Sequence, residues 1–307
     1  MSASDQPWSG IFPALCTPFT ADGAVDVDAQ RAVVRFALAC GAAGIVCFGL
    51  AGEVNKLTPE ERKRLSRVII DEVNGRVPVL VGVGTEALHT SVELARHAQE
   101  AGAAGIVIPP PLTAHLDGDG LVPYFCAIAA TTRLPVVIQD APEYLGVGLS
   151  PSLVQRLSVE QPTIRYVKIE TGPAGTARWI AELRPDVNVF TGGAGLHLLS
   201  DLRAGAVGNV PGTELTDLLV SIYRAEKHGD GAEADALFQR LLPYLEFSLQ
   251  GIDHYNACTK EILVRRGILR QGGLRMPAPP LTSVSRTLLD RYVAELGLDQ
   301  GTSREGA

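Results

Sequence analysis

Lys168 sits near the end of a strand-type run, Ile164-Arg165-Tyr166-Val167-Lys168-Ile169-Glu170. Runs of this kind, in a chain that alternates strands and helices, usually belong to a parallel sheet covered on both faces. Burying an ammonium there is unfavourable, and the neutral amine that burial favours is a nucleophile for carbonyl carbon. Lys168 is therefore a candidate imine-forming lysine. The competing reading is a strand-end lysine that snorkels its charge to solvent.

Other residues with chemical potential cluster just after short apolar runs. Gly49-Leu50-Ala51-Gly52-Glu53 follows the second run, and Gln139-Asp140-Ala141-Pro142-Glu143-Tyr144 follows the fifth. Glu170 lies two residues beyond Lys168. Gly192 opens the glycine-rich Thr191–Gly195 turn, and Val210 ends the eighth run. Glu53, Asp140 and Tyr144 are candidates for proton transfer, and Gln139 can orient a substrate by hydrogen bonds. Gly49, Leu50, Ala51 and Gly52 form one such turn, and Glu170, Gly192 and Val210 stand at the ends of the later runs; together they are the candidate substrate wall. Each has a plainer alternative. The glycines serve as turn residues, Glu53 as a cap, Tyr144 as a loop tyrosine. Thr191–Gly195 reads as a tight turn or as a phosphate cradle. His89 and His97 fall on an expected helix and read as part of a solvated face.

These positions need a scaffold, and the pattern supplies one. Eight short Val- and Ile-rich runs recur: Ile11–Leu15, Gly44–Phe48, Val77–Val81, Gly105–Ile108, Leu134–Ile138, Ile164–Ile169, Val187–Thr191 and Ala206–Val210. Stretches of helical period separate them. Thr58-Pro59-Glu60-Glu61 and Ser150-Pro151 read as helix starts. Gly102 and Gly205 read as helix-end glycines. Eight strand–helix units in this length predict a (β/α)₈ barrel, an α/β fold whose strand ends carry the active site. An open dinucleotide-binding sheet is disfavoured, because Cys16-Thr17-Pro18-Phe19 lacks a glycine fingerprint. Past Gly229 the pattern is helical, over Ala232–Gln250, Tyr255–Arg266 and Thr282–Leu296. The expected organisation is a barrel over 1–228, a C-terminal helical region over 229–299 and a polar tail over 300–307.

Composition narrows the class. The 307 residues are 46% hydrophobic and carry a formal net charge of -7, enough for a large core and without a basic cluster that would suit nucleic acid. The sequence has no run long and apolar enough for a membrane helix, and Met1–Gly10 does not read as a signal peptide. The five cysteines form no CxxC pair and read as free thiols of a reducing cytoplasm. The six histidines show no metal-ligand spacing, so neither metal nor organic cofactor is expected.

Thr17-Pro18-Phe19, Gly49-x-x-Gly52-Glu53, Lys168-x-Glu170 and the Pro277–Leu281 segment together resemble the dihydrodipicolinate synthase / N-acetylneuraminate lyase superfamily of class I barrel lyases. The resemblance runs from Gly10 to about Leu298. It implies that Lys168 forms an imine with the keto carbon of a 2-oxo acid, with no cofactor, in a homodimer or homotetramer. The chain departs from the family's usual pattern at four places. Leu50 and Ala51 stand where two hydroxyl residues hold the substrate carboxylate. Gln139 stands where a relay tyrosine is usual, Leu112 where a second one is, and Tyr144 where the synthase has an arginine. Gln139-Asp140-Ala141-Pro142 with Lys168-Ile169-Glu170-Thr171 is similar to L-2-keto-3-deoxyarabonate dehydratases. The resemblance thus implies a lyase that dehydrates or cleaves a 2-keto-3-deoxy sugar acid. Pyruvate condensation of the synthase type and a non-catalytic, ligand-sensing barrel stand as alternatives.

Overall fold

The structure, a computed structural model, describes residues 7–114, 116 and 118–299. The expected tail 300–307 lies outside the described residues. Eight strands form one parallel sheet: β1 Gly10–Ile11, β2 Ile45–Cys47, β3 Val79–Gly82, β4 Gly105–Ile108, β5 Val136–Asp140, β6 Ile164–Ile169, β7 Asn188–Thr191 and β8 Gly208–Asn209. Their order is β1-β8-β7-β6-β5-β4-β3-β2. A parallel bridge between Ala14 and Val46 joins the two ends, so the sheet closes into a barrel. β1 is shorter than the apolar run Ile11–Leu15. Pro13 has no N–H to give to a ladder, and the chain rejoins the sheet only at Ala14. β5 runs two residues further than its apolar run, so Gln139 and Asp140 belong to the strand itself.

Twelve α-helices accompany the strands among the described residues. They are α1 Val27–Ala39, α2 Pro59–Val73, α3 Leu88–Glu100, α4 Gly118–Ala129, α5 Pro142–Leu145, α6 Pro151–Glu160, α7 Gly172–Glu182, α8 Leu198–Arg203, α9 Thr216–His228, α10 Gly231–Ser248, α11 Ile252–Arg265 and α12 Ser283–Leu296. The start signals act as their chemistry dictates. Thr58 accepts from the Glu61 amide while the Glu61 carboxylate accepts from the Thr58 amide, a complete capping box on α2. Ser150 caps α6 through the Leu153 amide.

Strand alternation sorts side chains into two cores. Inward-facing Phe12, Val46, Leu80, Val107, Val137, Tyr166 and Phe190 fill the barrel. Phe12 meets Phe190 edge-on at 5.0 Å, and Trp8 stacks on Tyr166 at 4.7 Å while its amide donates to the Tyr166 hydroxyl. Outward-facing residues such as Ile106, Ile138 and Val167 pack under α1–α4, α6 and α7. A third cluster links Ile11 and the helices α8 and α9 to α10–α12 through Leu199, Leu219, Leu241, Tyr244 and Val293. The last three helices are therefore packed onto the barrel. One expectation changes here. His97 is 9% exposed, with Nε2 at 3.0 Å from the Lys63 carbonyl and 3.1 Å from Ser66 Oγ. It packs between α2 and α3 instead of facing solvent.

The barrel interior leaves no slack at Phe12. A Cβ on Gly44 would lie 2.0 Å from the Phe12 ring. Gly44→Ala is expected to destabilise the fold by about 1–3 kcal/mol through overpacking. Adding Phe12→Leu to Gly44→Ala should make the double variant more stable than the sum of the single effects. Urea unfolding of the four proteins checks this; strict additivity would mean that the alanine is accommodated without moving the ring.

Candidate active site

Lys168 faces inward on β6 for a simple reason. It is two residues from Tyr166, which is inside the barrel, and side chains on a strand return to the same face every second residue. In register it lies beside Gln139 on β5 and Phe190 on β7. Its Nζ is 2.8 Å from Glu170 Oε1, and both side chains are 13% exposed. Gly192 makes room for this pair. A Cβ there would lie 2.5 Å from Glu170 Oε1 and 2.7 Å from Lys168 Cε.

Lys168 opens into a cavity at the C-terminal end of the strands, where a barrel displays its reactive groups. Gly49, Leu50, Ala51, Gln139, Tyr144, Glu170 and Val210 line the same cavity. The sequence-based candidates therefore converge on one place, with exceptions given below. Gln139 is 6% exposed and lines the cavity, and its carboxamide bonds to no described residue. Tyr144, on the short helix α5, keeps its phenol protonated. Burial pushes it above its usual range, and the nearby Glu170 and Glu143 carboxylates push the same way.

The turn after β2 is held in one shape from several sides. Gly49 precedes a 3₁₀ turn, Leu50–Gly52, which closes with the Gly52 and Glu53 amides. The two earlier amides, of Leu50 and Ala51, are the ones such a turn leaves without an internal partner. Thr17 Oγ1 donates to the Gly52 carbonyl at 2.7 Å, and Asn256 Nδ2 donates to the Leu50 carbonyl at 3.1 Å. Glu53 follows with a left-handed backbone, φ 52°.

Glu53 is where expectation and structure part. It does not line the cavity. Its carboxylate is 1% exposed and accepts from Lys260 Nζ at 2.5 Å, Lys56 Nζ at 3.1 Å and the Arg275 amide at 3.1 Å. A carboxylate so engaged is a fastening and not a proton shuttle. Asp140 also lies outside the cavity, because it is one residue from inward-facing Gln139 and so faces the helices. There it accepts from the Leu149 amide at 2.9 Å, which closes the loop carrying Tyr144. Gly52 lies behind the turn, against the Leu15 carbonyl, and Gly192 beneath the Lys168–Glu170 pair. After β7 the Gly192, Gly195 and Leu196 amides donate to carbonyls of the chain itself, so only Gly193 and Ala194, which line the cavity, offer amides there.

Several residues that sequence reasoning did not single out shape the site. Asn256 and Lys260 stand four apart on α11, one polar stripe on a face otherwise occupied by Leu263, a pattern that signals buried polar contacts. Tyr255 lines the cavity, and its hydroxyl accepts from the Gly212 amide at 3.0 Å. Behind it Glu214 is fully buried, which raises its carboxyl above the usual range. Among the described residues no group of three or more His, Cys, Asp or Glu side chains could hold a metal ion, and no helix is long and apolar enough to cross a membrane.

A sequence profile described as the dihydrodipicolinate synthetase family matches residues 7–296. The chain is 34% identical over 241 residues to a probable 2-dehydro-3-deoxy-D-pentonate aldolase, YjhH, of Escherichia coli K12, covering 76% of this chain and 80% of that protein. It is 31% identical to the putative 2-dehydro-3-deoxy-D-gluconate aldolase YagE of the same organism, covering 95% and 98%. The crystal structure of YagE in complex with pyruvate superposes with a TM-score of 0.90 over 95% of this chain and 100% of that one, at 30% identity. A 4-hydroxy-tetrahydrodipicolinate synthase of Methanopyrus kandleri is 30% identical, covering 94% and 96%.

Asp140 gives the site region a pH signature. Burial raises its carboxyl from 3.8 to about 6, against the pull of the Leu149 hydrogen bond and with a further push from Glu170. The folded protein therefore holds a proton that the unfolded chain releases between about pH 4 and 6, and stability falls as pH rises through that window. Asp140→Asn keeps an acceptor for Leu149 but has no proton to lose. Its stability relative to wild type should improve from pH 4 to 6 and level off above, in thermal melts across that range. A flat difference would mean that Asp140 ionises as it does in the unfolded chain.

Proposed function

The chain belongs to the dihydrodipicolinate synthetase family, and on that footing we propose that it is a class I lyase that cleaves a 2-keto-3-deoxy sugar acid through an imine on Lys168. The observation that carries this reading is the Lys168 amine at 2.8 Å from the Glu170 carboxylate, inside a cavity beside an unengaged Gln139. The names of YjhH and YagE support an aldolase, and the pyruvate in the YagE crystal structure supports a 2-oxo acid.

The chemistry follows from the groups present. Glu170 accepts a proton from the Lys168 ammonium, and the neutral amine adds to C2 of the 2-oxo acid. The carbonyl oxygen leaves as water, giving a cationic imine. The Leu50 and Ala51 amides are the fitting site for the C1 carboxylate. Loss of the C4 hydroxyl proton lets the C3–C4 bond break, its electron pair moving into the imine to form an enamine. An aldehyde departs. Protonation at C3 and hydrolysis then release pyruvate and restore the amine. Glu170 and the Tyr144 phenol are the titratable groups of the cavity that serve these transfers; the Gln139 amide can only orient. Dehydration of the same substrate class would use the same imine. Condensation of the synthase type has less support. Leu50, Ala51, Gln139 and Leu112 offer no hydroxyl relay, and no arginine is among the residues lining the Lys168 cavity.

Two variants test the reading. Wild-type protein treated with pyruvate and borohydride should gain one reduced adduct by intact mass, and Lys168→Ala should gain none while keeping its far-ultraviolet circular dichroism. Glu170→Gln should slow trapping by about 10²-fold, the scale of a lost general base. Pyruvate release from 2-dehydro-3-deoxy-D-pentonate or 2-dehydro-3-deoxy-D-gluconate should vanish in Lys168→Ala. Cleavage persisting in that variant would end the imine mechanism, and an unchanged trapping rate in Glu170→Gln would remove Glu170 from it.

A further inference from the structure

A third titratable group faces the Lys168 cavity besides Glu170 and Tyr144. Tyr255, on α11, lines the cavity together with Gly212 of the turn after β8. Its hydroxyl accepts from the Gly212 amide at 3.0 Å and lies 3.5 Å from Glu214 Oε2. Gly212 lets the phenol and the carboxylate meet. A Cβ there would collide with the Tyr255 hydroxyl and lie 2.6 Å from Glu214 Oε2. Both oxygens therefore stand against one residue of the cavity wall, Tyr255 at the surface of the cavity and Glu214 directly behind it.

Glu214 has no structural need for its charge. It is 1% exposed, and no cation among the described residues pairs with it. Its partners are hydroxyls: Tyr244 donates to Oε1 at 3.3 Å, and Tyr255 donates to Oε2. An amide would accept the same bonds without the cost of a buried charge. Burial raises the Glu214 carboxyl above its usual range, so its carboxylate takes up a proton more readily than one in water. Two further titratable neighbours, the Cys16 and Cys258 thiols, are pushed up to about 12 by burial and stay protonated.

The proposed cleavage has a matching need. The C4 hydroxyl must lose a proton, and C3 must later gain one. Glu170 is held at the Lys168 nitrogen, and the Tyr144 phenol hydrogen-bonds to no described residue that could receive its proton. Only the Tyr255 phenol has a carboxylate bonded behind it. We propose that Tyr255 is a catalytic residue of this site and that Glu214 is the base it works through. This rests on the reading of Lys168 as the imine-forming residue. The Tyr255 oxygen accepts the C4 hydroxyl proton while its own proton passes to the Glu214 carboxylate. The C3–C4 electron pair moves into the imine, and the aldehyde leaves. The two groups then run in reverse: Tyr255 gives its proton to C3 and regains one from Glu214. One proton goes out and comes back, so the relay ends as it began.

The test separates cleavage from imine formation. Pyruvate has no C4, so its trapping by borohydride does not need the relay. Tyr255→Phe and Glu214→Gln keep the shape of the pair but cannot pass a proton. Each should slow pyruvate release from 2-dehydro-3-deoxy-D-gluconate or 2-dehydro-3-deoxy-D-pentonate by about 10²-fold or more, while pyruvate trapping stays within about threefold. Tyr244→Phe is the control, because Tyr244 gives Glu214 a like hydrogen bond but does not line the cavity. Its cleavage should fall by less than about tenfold, the scale of one neutral hydrogen bond. Wild-type cleavage in Tyr255→Phe or in Glu214→Gln overturns the relay while the imine stands. So does an equal loss in Tyr244→Phe and Tyr255→Phe, or a parallel loss of trapping and cleavage, since the network would then only support the fold. If Glu214→Gln does not fold, the comparison of Tyr255→Phe with Tyr244→Phe decides. Wild type that traps pyruvate but cleaves neither sugar acid overturns the relay alone. Wild type that pyruvate and borohydride leave unmodified overturns the imine reading, and the relay with it.

Discussion

An ammonium and a carboxylate side by side in a nearly dry barrel mouth set the terms for everything around them. Neither Lys168 nor Glu170 is more than 13% exposed, and each would be unfavourable there alone. They share a face because they are two residues apart at a strand end. The pairing demands a neighbour without a side chain, and Gly192 meets the demand. It also needs β5 in register, so that Gln139 arrives beside the lysine and Asp140 turns outward. A one-residue slip would exchange those two, putting a carboxylate into the cavity and an amide among the helices. The site thus follows from sheet register as much as from residue identity.

A second charged arrangement, at Glu53, gives the C-terminal helices a role beyond packing. The Glu53 carboxylate meets two ammonium groups and one amide, and Lys260 in turn lies 4.4 Å from the Phe19 ring centroid. Removing one member of such a knot leaves charge buried without a partner, a penalty of about 3–5 kcal/mol for buried pairs. The knot bonds the turn that carries the candidate carboxylate amides to α11 and to the segment around Arg275. The geometry of those amides therefore depends on residues more than 200 positions away in sequence.

Much of this could be read in advance, and the parts that could not have physical reasons. The barrel was legible because Val- and Ile-rich runs alternate with capped amphipathic stretches, and Lys168 because it stands at a strand end. The placement of Glu53 was not, since a glutamate after two turn glycines looks the same whether it faces a ligand or a buried lysine. Asp140 was misjudged because the apolar run of β5 stops at Ile138 while the strand does not, which hid the alternation that sends Gln139 and Asp140 opposite ways. Lys260 and Asn256 were missed because long-range partners leave no local signature beyond a polar stripe on an apolar helix face.

The closure of the barrel also imposes an order in time. β1 pairs with β8, so Gly10 waits for Gly208, and the Glu53 knot waits for Lys260 and Arg275. At about 5–20 residues per second, a ribosome needs roughly ten to forty seconds to go from Glu53 to Arg275. Through that interval Glu53 has only Lys56 of its cationic partners, and the first strand has only the second within reach. The molecule can be half made with its mouth only partly shaped. A nascent chain that stalls before α11 would carry all eight strands and still lack the Asn256, Lys260 and Arg275 bonds that complete the turn after β2.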